Sequence, residues 1–75
     1  MDIRKFIAEF ENLFDEVEKG SVKEETVFRD LDEWSSLIAL SVIAMVDEEH
    51  NFRLSANDFK ESITVKDLYN KIKND

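Results

Sequence analysis

Ten consecutive residues, Leu37 to Val46, are apolar at every position except Ser41. A surface helix needs only one apolar stripe. A run that is apolar nearly all round is either central to the fold or presents an apolar face to something else. Strand is the alternative for such a run. Its length, and the Leu, Ala and Met among its β-branched residues, favour a helix over about Ser36 to Asn51. A chain of 75 residues builds one core. Residues 1–75 therefore read as a single domain packed around this segment.

Covalent staples are excluded, because the chain has no cysteine for a disulfide or a thiolate metal site. Packing alone must hold it together. There is no proline, and Gly20 is the one glycine, which favours uninterrupted helices. Ile3, Phe6, Ile7, Phe10, Leu13, Phe14 and Val17 recur at spacings of three and four. That stripe predicts a first helix over about residues 2–19, with Gly20 as its C-terminal cap. Residues 20–34 read as a connection. Ser21 and Glu24 fit a capping box for a single helical turn there, and Val27, Phe28 and Leu31 would pin the connection across the core. A 15-residue connection is more often functional than idle.

Ser55 caps an expected short third helix. Before the last helix, Thr64 and Asp67 form a capping box, with Ile63 and Leu68 at staple positions. Val65, Leu68, Tyr69 and Ile72 make its stripe, and Lys71 and Lys73 suit its negative end. The expected fold class is all-α: a small four-helix bundle of three long helices and a short third one.

Asp and Glu number 18 against 10 Lys and Arg, for a net charge of -8. Nucleic-acid binding needs clustered cations, so that class is set aside. A partner with a basic patch is expected instead, and the high charge favours a monomer. No apolar run approaches the roughly 20 residues of a membrane span. Met1 to Lys5 precede no apolar signal core, so a cytoplasmic location is the default.

Self-contained catalysis is not expected. The chain has one histidine, no cysteine and no glycine-rich loop. Ser36 and His50 lie 14 positions apart on one helix, roughly 21 Å. Asp47 and His50 are one turn apart, but two ligands do not make a metal site, and no EF-hand spacing occurs. The acids Asp47, Glu48 and Glu49 sit near a helix C-terminus, where the dipole disfavours them. They serve either solubility or a basic partner. Ser35 or Ser36 is a good N-cap for the second helix. A hydroxyl there lies at the tip of a long connection, within reach of a modifying enzyme.

The stretch from Phe28 to Leu54 resembles an acyl carrier protein. That family shows a Phe eight residues before an Asp-Ser-Leu signature, then an apolar helix, then a run of acids. Here Phe28 precedes Ser36-Leu37, Ile38 to Val46 follow, and then Asp47-Glu48-Glu49. Ser62-Ile63-Thr64-Val65 before the last helix is similar as well, so the resemblance covers nearly the whole chain. It departs at Ser35, where the family usually has Asp, and at Trp34, where a small residue is common. Ile38 and Ser41 stand where housekeeping fatty-acid carriers often have acids, which suggests a specialised member.

The resemblance implies a carrier rather than an enzyme. Ser36 would receive a 4'-phosphopantetheine arm from coenzyme A through a phosphopantetheinyl transferase using magnesium. The arm's thiol would hold an acyl group as a thioester for partner enzymes of fatty-acid, lipid or polyketide-type biosynthesis. Those synthases and transferases would dock basic patches on the second helix. Asp32, Glu33, Asp47, Glu48 and Glu49 are the candidate partner contacts by charge, and Leu37, Ile38 and Val42 the apolar ones. Leu40, Val42, Ile43, Met45 and Leu68 are candidate liners of an acyl shelter, although ordinary core is the better expectation for them. Two alternatives stay open: an aminoacyl or peptidyl carrier, such as a D-alanyl carrier, and an unmodified acidic helical interaction module.

Overall fold

The long apolar run does form the longest helix. A computed structural model describes residues 2–73, in the order α1 (Ile3–Glu11), a single 3-10 turn (Phe28–Asp30), α2 (Ser36–His50), α3 (Ala56–Glu61) and α4 (Val65–Lys73). The fold is small and all-α, with four α-helices and no strand among the described residues. The expectation of three long helices needs correction. Only α2 is long, at 15 residues, whereas α1 and α4 have nine each and α3 has six. No helix among the described residues is long and apolar enough to cross a membrane.

The first helix stops at Glu11, not at Lys19 as the spacing predicts. Two carboxylates explain the early stop. Glu11, only 7% exposed, accepts the backbone N–H of Gly20 and that of Val22, each at 3.0 Å. Glu33 accepts those of Asp15 at 2.9 Å and Glu16 at 2.7 Å. Amides that further helical turns would have satisfied thus find side-chain acceptors. The apolar stripe still buries itself: Phe14 is in the core, and Leu13 and Val17 pack against it. Gly20 is left-handed, at φ 88°, but in a turn of the connection rather than at the end of α1.

The connection carries no helical turn at Ser21–Glu24. A turn closes instead from Lys23 to Thr26, and the 3-10 turn comes at Phe28. The reason is α4. The first amides of a helix have no partner within it. Val65 donates to the carbonyl of Thr26 at 3.0 Å and Lys66 to that of Glu24 at 2.9 Å. Val27 and Thr64 form an antiparallel bridge at the same place. Thr64 Oγ1 accepts from the amide of Asp67, and the Asp67 carboxylate accepts from Ile63 and Thr64, so the expected capping box is present. Ile63 stays 58% exposed, so the expected apolar staple leaves it largely uncovered.

The other caps form locally too. Ser55 and Asp58 make a reciprocal capping box on α3. Asn51, left-handed at φ 55°, ends α2. The core is ring-rich: Phe6, Phe10 and Phe28 are fully buried alongside Val42, Val46, Leu54, Val65 and Leu68. α1 packs on α4, with Phe6 and Tyr69 ring centroids 5.8 Å apart.

Two outcomes are expected. Glu11→Ala removes the acceptor for the amide of buried Val22, which costs about 1–3 kcal/mol; urea unfolding measures it, and a loss inside experimental error would dismiss the brace. Hydrogen bonds from the amides of Thr64 and Ile63 hold the Asp67 carboxyl below its usual range. A carboxyl depressed by folding stabilises above its unfolded pKa of about 3.9, and that contribution is lost as pH falls through the folded value. Melting temperature followed from pH 6 to 2 should show Asp67→Asn less stable than wild type at pH 6, with the gap closing in acid.

Candidate functional site

The start of α2 is fixed by the residue before it. Trp34 donates its amide to the Leu31 carbonyl at 2.9 Å. Its ring sits among Phe28, Phe59 and Phe10, at centroid distances of 4.9, 5.8 and 6.4 Å, and lies nearly parallel to Phe10. This anchor delivers the next two residues to the surface.

The two serines then take different work. Ser35 is the N-cap: its backbone is extended, and its Oγ accepts the amide of Ile38 at 3.2 Å. Ser36 is the first helical residue. It is exposed, and among the described residues its hydroxyl has no hydrogen-bond partner. Among the described residues no base is hydrogen-bonded to it. The first turn of α2 contains no acid, which leaves the positive end of the helix dipole open to an anion.

A groove of about 610 Å³ runs beside these serines. Trp34, Ala39, Leu40 and Ile43 form one side, Ala56 and Phe59 come from α3, and Arg29 and Lys60 border it. Its volume lies within the roughly 300–1,000 Å³ of small-ligand sites. A larger depression of about 790 Å³ is lined mostly by acids, Glu16, Glu18, Asp30, Asp32 and Glu33, together with Val17, Ser21 and Leu31. Among the described residues, no group of three or more His, Asp or Glu is placed to hold a metal ion.

The remaining expected residues divide by the way α2 faces. Leu37 is 72% exposed, and Leu40, not expected in this role, is 62% exposed. With exposed Ala44 they make an apolar outer stripe that runs on into exposed Asp47 and Glu48. Glu49 is exposed as well, and so is Asp32 in the connection. Ile38 is half-buried against the core. Val42 is fully buried, so it is not a docking residue. It faces the core because the run is apolar on both sides, and α2 turns that side inward. Val42 and Leu68 are ordinary core rather than shelter lining; Leu40 and Ile43 line the groove. Glu33 is engaged with the amides of Asp15 and Glu16, which gives it a structural task.

His50 belongs to the core, not to a site with Asp47. Its Nε2 meets Glu9 Oε1 at 2.7 Å, tying α2 to α1, and its ring packs on Phe6. Sequence reasoning missed the groove residues Arg29, Ala56, Phe59 and Lys60. A tryptophan directly before two serines was the available signal. Compared with known proteins, the chain matches no family model, no curated sequence and no solved structure.

The two hydroxyls should separate in stability. Ser35→Ala removes a cap and is expected to cost about 0.5–2 kcal/mol. Ser36→Ala is expected to stay within about 0.5 kcal/mol of wild type, as surface changes do. Chemical denaturation of both variants measures the difference, and the reverse order would reassign the cap.

Proposed function

We propose that this chain is a carrier of acyl-carrier type and not an enzyme, with Ser36 as the attachment point of a 4'-phosphopantetheine arm. The observation that carries the reading is the pairing of an exposed, unpartnered Ser36 hydroxyl with a capping Ser35 beside an apolar groove. An acid-free first turn of α2 also suits a phosphodiester on Ser36. Attachment joins the Ser36 oxygen to the phosphorus that carries the pantetheine and breaks the pyrophosphate of coenzyme A. Adenosine 3',5'-bisphosphate leaves, and the hydroxyl proton goes to a base of the transferase. When bound, the arm supplies a thiol that holds an acyl group as a thioester.

In this reading Leu37, Leu40 and Ala44 meet the apolar part of a partner enzyme. Asp47 and Glu48, with Glu49 and Asp32 nearby in charge, steer its basic patch. The same stripe would serve an unmodified interaction module, and the modification assay separates the two. Incubation with coenzyme A, magnesium and a broad-specificity phosphopantetheinyl transferase should add one phosphopantetheine to the intact mass. Ser35→Ala should still be modified, and Ser36→Ala should not. Loss in the Ser35 variant alone would move the site by one residue. No adduct on folded wild type with several transferases would leave the interaction module.

A further inference from the structure

The charge around the groove is opposite to that of the chain. The protein carries a net -8, yet among the described residues no carboxylate lines the groove, while Arg29 and Lys60 do. Neither cation has an ion pair among the described residues. The acids nearest in sequence are turned to other tasks. Asp58 caps α3 through Ser55. Glu61 is paired with Lys71 and accepts from Asn57. Asp30 faces the acid-lined depression instead. Arg29 is held without a carboxylate: it donates to the Phe59 carbonyl and lies 5.0 Å over the Phe28 ring. An arginine held by a carbonyl and a ring keeps its full charge and has further N–H donors to offer.

The aromatic side of the groove is backed by the core. Fully buried Phe28 packs against the rings of both Trp34 and Phe59. A cargo lying here stays at the surface, between an apolar side and two uncompensated cations. We infer that the groove receives a short acyl group ending in a carboxylate, its stem along Trp34, Phe59 and Ile43 and its carboxylate met by Arg29 and Lys60. This rests on the carrier reading above.

Trp34 is the one tryptophan of the chain, so its emission reports on the groove directly. The test loads Ser36 of the full chain from coenzyme A, glutaryl-coenzyme A and pentanoyl-coenzyme A, with intact mass and Trp34 fluorescence read on each sample. Expected is a blue shift and reduced acrylamide quenching in the glutaryl form, with a markedly smaller change for pentanoyl and for the bare arm. Lys60→Gln, at an exposed position, should lose most of the glutaryl response while melting as wild type does. Arg29→Gln should lose it too, and Arg29→Lys should recover part of it. Equal responses from glutaryl and pentanoyl forms would overturn the inference. So would a full response from the bare arm, which would give the cations to the phosphodiester. An absent mass adduct would overturn the carrier reading itself.

Discussion

The packing of the half-buried Trp34 ring against three phenylalanines is the contact on which the rest of this molecule depends. Chain termini and long connections ordinarily wander, because ordering each backbone residue costs about 1–2 kcal/mol. Here one indole packed among Phe10, Phe28 and Phe59 holds the end of the 24-residue run, residues 12–35, that has no α-helix. Aromatic pairs add about 0.5–1.5 kcal/mol each beyond area burial. Three such neighbours suffice to fix the place where α2 begins. Ser35 then caps and Ser36 projects, simply because they follow an immobilised residue.

Local chemistry was legible in the sequence, and its reach explains what was not. The caps at Ser55 and at Thr64 with Asp67 act over three positions, and they stand where the spacing puts them. The helix of the long apolar run starts and ends within a residue of expectation. The end of α1 was hidden because Glu11 and Glu33 act over nine to eighteen positions. A periodicity of three and four then described burial correctly and conformation wrongly: Phe14 is in the core without being helical.

The candidate site shows the same division. Ser36 and the acids after the apolar helix could be picked out by type and spacing. The direction of α2 could not, since a segment apolar nearly all round has no preferred side. Leu40 therefore points out and Val42 in, although the sequence treats them alike. The groove was invisible because it is assembled from the 3-10 turn, α2 and α3. A net acidic composition likewise conceals a small basic region, because many of the acids are occupied by backbone amides or by cations elsewhere.

The bond from the connection to α4 has a consequence for how such a chain tolerates change in length. Surface loops usually accept insertions and deletions readily. This one is tethered at both ends: the carbonyls of Glu24 and Thr26 serve the first turn of α4, and Trp34 is seated among rings. The residues between Thr26 and Trp34 span a set distance. An added or missing residue there would unseat either the start of α4 or the start of α2. Its length is thus held as tightly as that of a helix, in a segment with only one turn of regular structure.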